Sequence, residues 1–427
     1  MSSTIHFAEQ TEDRSAGPAR LLTLPTSVDG FVSFRGSFVA YPNLAAGDGM
    51  LQQLAVSMLD KGTEARDRFE VARVLEDRGA KLNLSSDGLY VDFSGQALTD
   101  DLTEVLDVLA EMLQTPLFDE AEFEKAQAQT IGQLQRSLER TSSRAENALT
   151  RSIFSEGHPN HRPRLERRIQ QVQSATVEDV RAYHDAHFGA TDFTVAVVGD
   201  LRHEDVADAV ATAFSEWTPH DATPAHDAEA PDGRPHRESL PMPDKSNVDV
   251  RLGHALPIRR DDDAYLPLYV GNYILGGNFA ARLMTVVRDE KGLTYHVGSS
   301  LSGITTRYEG YFKTQVTLSH DRLDEGIEAT EEVIRTFVEE GATEDELQAK
   351  KETITGSFTV GLSTTQRLAH SLLLNAERNF GVDYLDTFLD EVNALTIQDV
   401  NEAVRTHLRP DDLHVVAAGT RPEVVSV

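Results

Sequence analysis

Residues 176–199 return as residues 396–419, and this internal repeat limits the folds open to the chain. Thr176, Asp179, Val180, His187, Asp192, Val195 and Gly199 reappear as Thr396, Asp399, Val400, His407, Asp412, Val415 and Gly419, at a constant offset of 220 residues. A second pair, around 120–132 and 344–356, sits at nearly the same spacing. Two copies that far apart mark a duplicated domain, because a solenoid repeats every few tens of residues. A chain of 427 residues is also too long for one core.

Each copy reads alike. Thr176 and Thr396 are helix caps, with Asp179 and Asp399 in the reciprocal position of a capping box. A buried strand follows each helix, at 193–198 and 413–418. Helices are predicted at 102–114, 119–140, 323–339 and 344–358, and strands at 30–39, 81–93, 248–255 and 308–318. Helices with mostly antiparallel strands make an α+β class: two homologous domains, each an antiparallel sheet with packed helices. The divisions expected are a polar N-terminal tail (1–20), a first domain (21–217), a linker (218–246) and a second domain (247–427). The linker is rich in Pro, Ala, Asp and His. Its His220, His226 and His236 read as solvated residues, because a segment without periodicity lacks the fixed geometry a metal needs.

Composition narrows the function. Acidic residues outnumber basic ones 70 to 40, for a formal charge of −30. That field repels nucleic acid and anionic lipid, so neither is expected as a partner. The excess is spread along the chain and lysine is scarce, which suits a cytoplasm at high salt, where repulsion is screened; attraction of basic peptides is the alternative. The first residues show neither a basic start nor an apolar stretch, and no apolar run spans a bilayer, so a cytoplasmic protein is expected. There is no cysteine, which excludes disulfides and thiolate metal sites.

Several motifs, in order, resemble the insulinase and mitochondrial-processing-peptidase family of inverted-zinc-motif peptidases. They are a helix running into Lys61-Gly62-Thr63, then Arg78-Gly79-Ala80-Lys81-Leu82-Asn83, Thr115-Pro116-Leu117-Phe118, Gly157-His158-Pro159 and Val197-Val198-Gly199-Asp200. The resemblance covers almost the whole chain and implies a clamshell of two α+β units. It also locates the family's zinc motif, His-x-x-Glu-His, at Gln53, Val56 and Ser57, and its third ligand, a glutamate, near Gln133. An amide, an isopropyl group and a hydroxyl are not zinc donors, and Val56 can neither take nor give a proton. No histidine lies between His6 and His158, so no shift of register restores a nitrogen ligand to this helix. The expectation is a chain that holds no metal or other cofactor of its own.

In the second half, Gly276-Gly277-Asn278-Phe279-Ala280-Ala281-Arg282-Leu283 precedes Arg288 and Tyr295, like the family's glycine-rich loop and Arg/Tyr element. The resemblance implies that Arg288 holds peptide carbonyls with its rigid fork of donors and that Tyr295 donates to an oxyanion. Gly292 would allow the tight turn between them. It also implies that the strand at 80–86, with Ala80 and Asn83, pairs with an extended peptide; an ordinary edge strand is the plain alternative. The family permits paired subunits, one with the zinc motif and one with the Arg/Tyr pair. This chain reads as the second kind: a non-zinc-binding subunit of a heteromeric zinc metallopeptidase whose zinc belongs to a homologous partner, acting on peptides. A non-catalytic peptide-binding or scaffold protein of the same fold, and a lone metallopeptidase, are the other readings. His6 with Glu9, His158 with His161, and His184 with His187 mimic ligand spacings but read as tail, surface and helix-end residues.

Overall fold

The computed structural model describes residues 6–220, 228–231 and 234–420. Within that range the chain forms two compact units. One gathers Met1–Gly132, Arg168–His226 and Ser357–Phe388; the other gathers Gln133–Arg167, Asp227–Gly356 and Leu389–Val427. Each half of the chain therefore lends a segment to the other half's unit, where the sequence reading has contiguous domains.

The first sheet contains β1 (Glu12–Ala16), β2 (Ala19–Pro25), β3 (Phe31–Val39), β4 (Lys81–Ser86), β5 (Tyr90–Leu98) and β6 (Thr194–Gly199), in the order β1-β2-β6-β3-β5-β4. The second contains β7 (Arg237–Pro241), β8 (Asn247–Leu256), β9 (Thr294–Ser302), β10 (Gly310–Ser319) and β11 (His414–Gly419), in the order β7-β11-β8-β10-β9. The second order repeats the first from β2 onward, so the duplication extends to topology. The sheets are mixed rather than wholly antiparallel, since β2 and β6 run parallel, as do β7 and β11. A strand that rejoins its sheet after a long crossover is free to run in the same direction. Residues 12–20, expected as tail, form β1 and the start of β2, and residues 237–241 of the expected linker form β7. The expected strand 81–93 is a hairpin of β4 and β5. Asp87-Gly88 makes its turn, with Gly88 at φ +106° and the Asp87 carboxylate accepting from the Leu89 and Tyr90 amides. Residues 221–227 of the expected linker, including His226, lie outside the described residues.

The repeat ends on glycine for a steric reason. Gly199 and Gly419 have φ of +150° and +152°, and a Cβ there would lie 2.2 Å from the Phe31 carbonyl oxygen and 2.7 Å from that of Asn247. Both capping boxes form, at Thr176 with Asp179 and Thr396 with Asp399.

The exchanged helices repeat as well. Helix Thr365–Glu377 packs on the first sheet through Leu368, Ala369, Leu372, Leu373 and Ala376, against Leu22, Leu24, Ala196 and Val198. Helix Thr141–Ile153 packs on the second through Ala145, Ala148, Leu149 and Ile153, against Ala255, Val416 and Ala418. Each apolar stripe follows the 3.6-residue period. Polar pairs fix the register. In the first unit Thr365 and Ser33 share a hydroxyl hydrogen bond of 2.8 Å, and Arg35 Nη1 lies 3.0 Å from His370 Nδ1. In the second, the Thr141 hydroxyl donates to Asp249 at 2.6 Å, and Arg251 Nε donates to Glu146 at 3.2 Å.

The two interfaces differ one step along. Lys313, opposite Gly253, donates to Glu146 at 2.8 Å, and Tyr311 donates to it at 3.1 Å. Burial opposes the Glu146 carboxylate, but Lys313, Arg251 and Tyr311 outweigh it and hold its pKa below the usual range. At the matching place in the first sheet, opposite Ser37, stands Asp92. Burial, then the neighbouring Asp87 and Glu377, push Asp92 up to about 8, against the pull of Arg35. Folded Asp92 therefore keeps a proton that the unfolded chain releases near pH 4. Stability from this group is full below that pH and is lost as pH rises through about 8. Urea unfolding at pH 6 and pH 9 should show Asp92→Asn gaining on the wild type as pH rises; an equal offset at both values contradicts the assignment.

Candidate functional site

Helix Asp48–Met58 buries Met50, Gln52, Leu54, Ala55, Val56 and Met58. Gln52 donates to the Gly88 carbonyl at 3.1 Å, which ties the helix to the β4–β5 turn. At the three helix positions where the motif would put zinc chemistry, the groups are committed elsewhere or inert. Val56 is buried, the Ser57 hydroxyl donates to the Leu54 carbonyl of its own helix at 2.7 Å, and the Gln53 amide oxygen lies 3.5 Å from Arg168 Nη2. Gln133 is exposed and falls in the second unit. Among the described residues no three His, Cys, Asp or Glu side chains are grouped to hold a metal ion. The residues present do not fit zinc.

Beside this helix, β4 is the last strand of its sheet, so one of its edges is unpaired among the described residues. Lys81, Asn83 and Ser85 are exposed, alternating with half-buried Leu82 and Leu84. Ala80 enters the strand after Gly79 (φ +59°), its amide bonded to the Leu75 carbonyl that ends the preceding helix.

In the second unit, helix Tyr265–Gly276 ends against β9. A Cβ on Gly276 would meet the Ser299 amide nitrogen at 2.5 Å, so only glycine allows this approach. The loop that follows is held from helix Glu344–Gly361. Lys350 Nζ donates to Asn278 Oδ1 at 3.0 Å and to the Ala280 carbonyl at 2.9 Å. Arg282 grips Glu346 with two bonds of 2.6 and 2.7 Å. Burial alone would raise the Glu346 pKa, but Arg282 and the Thr343 amide bring it down to about 2. Sequence reading did not single out Lys350 or Glu346. Their signal is a lysine and a carboxylate on the buried side of an otherwise polar helix. The loop borders a cavity of 260 Å³ that reaches His296, Ser299 and Gln315.

Arg288 lies on a π-helix, Met284–Glu290, a rare geometry that tends to occur at functional sites. Its guanidinium is part exposed, with the Asp289 carboxylate 3.7 Å away. Gly292 takes φ +60° with nothing near its Cβ position, so the left-handed turn, not crowding, calls for glycine there. The turn delivers Tyr295 at the start of β9, where 94% of the residue is exposed; Phe279 on the loop is 76% exposed. Arg288, Gly292 and Tyr295 thus fall in one unit, and Gln53, Val56 and Ser57 in the other.

The histidines with ligand-like spacing are structural, and two are more buried than expected. His184 is buried and bonded to the Leu113 carbonyl at 2.9 Å, and His187 is bonded to that of Ala40 at 2.9 Å. Buried His158 stacks on Phe154 and accepts from the Asn160 amide at 3.0 Å, while His161 is bonded to the Phe154 carbonyl at 2.8 Å. Packing against aromatic rings, which spacing does not reveal, took them inside.

The chain is similar to known proteins over most of its length. Residues 54–164 match the family described as Insulinase (Peptidase family M16), and residues 174–354 match the one described as Peptidase M16 inactive domain. The chain belongs to the M16 insulinase peptidase family. It is similar to a non-peptidase homolog, YmxG, of Helicobacter pylori (20% identical over 85% of this chain and 83% of the relative). It is also similar to an uncharacterized zinc protease, YmxG, of Bacillus subtilis (24% identical, 82% and 83% covered). A solved M16 inactive domain from Pseudomonas fluorescens shares the fold, with a TM-score of 0.87, 22% identity, and coverage of 96% of this chain and 98% of that one. Among the described residues no helix is long and apolar enough to cross a membrane. Because the described residues include no metal donor set, the purified chain, exchanged into zinc-buffered solution, should retain far less than one zinc per chain by elemental analysis. Stoichiometric zinc contradicts the reading of Gln53, Val56, Ser57 and Gln133.

Proposed function

We propose that this chain is the non-zinc-binding subunit of a two-chain M16 metallopeptidase of the cytoplasm, supplying Arg288 and Tyr295 to peptide held at a homologous partner's zinc. The observation that carries this reading is the contrast between the two half-sites. On the helix, the positions the zinc motif would occupy hold buried Val56, self-bonded Ser57 and Gln53 facing Arg168, while Tyr295 is kept almost fully exposed at the end of a π-helix and a glycine turn. A large exposed aromatic ring with a polar tip is poorly explained by packing, and suits a surface that meets another molecule. In this reading Arg288 holds peptide carbonyls, Tyr295 donates its hydroxyl to the developing oxyanion, Gly292 sets the spacing between them, and β4, with Ala80 and Asn83, pairs with the extended peptide.

The second reading is a peptide-binding or scaffold protein of the same fold, favoured by the same unpaired β4 edge, which binds a peptide without any metal. The two are separated with the chain co-purified with its zinc-bearing homologue. Tyr295→Phe should lower kcat for a fluorogenic peptide by roughly 100-fold with little change in KM, as expected for a lost oxyanion donor. Arg288→Ala should lower kcat/KM by at least about tenfold. Unchanged activity in both variants favours the scaffold reading.

A further inference from the structure

The duplication supplies an internal control for one feature of the first unit. In the second unit, the arginine on the central strand, Arg251, is answered by a glutamate on the docked helix, Glu146, at 3.2 Å. In the first unit the corresponding Arg35 meets His370 instead. Arg35 donates to His370 Nδ1, so the ring is neutral and carries its proton on Nε2. Burial, then Arg35 and neighbouring arginines, lower the His370 pKa further. The Arg35 charge therefore has no carboxylate partner on the helix. Glu377, farther along that helix, is the acceptor of the Ser37 hydroxyl.

Helix Thr365–Glu377 covers β6 and β3, and the β5–β4 part of the same sheet face lies beyond it. There the structure has a cavity of 400 Å³ lined by Arg35, Lys81, Asn83, Gln366, Arg367 and His370 among others, and no Asp or Glu lines it. Arg35, Lys81 and Arg367 make no ion pair among the described residues, on a chain where acidic residues outnumber basic ones 70 to 40. Three cations and a neutral histidine donor facing one cavity form a receptor for a carboxylate.

We infer that this cavity binds an acidic side chain, and that the peptide received at β4 carries an Asp or Glu there. The inference rests on the proposed pairing of β4 with an extended peptide. A peptide added to β4 alternates its side chains between the two faces, and those on the face of Lys81 and Asn83 project toward the cavity. The overall charge of −30 opposes an acidic ligand at long range. At high salt that repulsion is screened within a few ångströms, whereas direct contacts persist.

The test uses the full chain and short extended peptides, acetylated and amidated, in which one Glu is moved through a Ser/Thr/Val background, each with a Gln twin. Isothermal titration should find one Glu position that binds about tenfold or more tighter than its twin. The difference should vanish in the double variant Lys81→Gln, Arg367→Gln, whose side chains are exposed and whose fold is checked by thermal melting. Equal binding of every pair, unchanged in the double variant, overturns the carboxylate pocket while leaving peptide binding intact. No binding by any peptide overturns the β4 reading and the pocket with it. A Gln peptide that gains the same affinity only with a free C-terminus overturns the side-chain assignment in favour of a chain end.

Discussion

The whole arrangement depends on one interaction made twice: a helix lent by one half of the chain, seated on the sheet of the other half by an apolar stripe and pinned by polar pairs. Leu368, Leu372 and Leu373 bury one stripe, and Ala145, Ala148 and Leu149 the other. Apolar area supplies most of the stabilisation at roughly 25 cal/mol per Å². The pairs Thr365 with Ser33 and Thr141 with Asp249 then set where along the strand each helix begins. A polar pair in such a place costs little when satisfied and much when broken, so it specifies register more than it adds stability.

Duplication leaves two copies free to diverge, and the site chemistry follows that divergence. In the first copy the helix Asp48–Met58 is a packing element, tied by Gln52 to the hairpin it supports. In the second copy the effort goes into a loop locked by Lys350 and Arg282, and into a π-helix and turn that hold Tyr295 outward. The sheet interfaces diverge too. One gathers Arg251, Glu146 and Lys313 into a closed ionic group, while the other leaves Arg35 beside a neutral histidine and Asp92 protonated at neutral pH.

Much of the fold was legible because it rests on local pattern. The caps at Thr176 and Thr396 and the periodicity of 102–114 each follow from neighbours in sequence. What was hidden depends on distant partners. β1 and β7 are short edge strands with weak alternation, and the docked helices at 141–153 and 365–377 show their purpose only against sheets more than a hundred residues away in sequence. At the site, the side-chain chemistry of Gln53, Val56 and Ser57 was readable, since no neighbour turns an isopropyl group into a ligand. The burial of His158 and His184 was not, because it depends on Tyr308 and Phe118, which only the fold brings alongside them.

The proposed division of labour puts the metal in a partner and two substrate-facing groups in this chain. Its most direct test is cleavage of one fluorogenic peptide by this chain alone, by a homologue carrying an intact His-x-x-Glu-His motif alone, and by their equimolar mixture. Strong turnover is expected only in the mixture, and chelation of the homologue's zinc should abolish it. Turnover by this chain alone, or full turnover by the homologue without it, would rule out the division of labour.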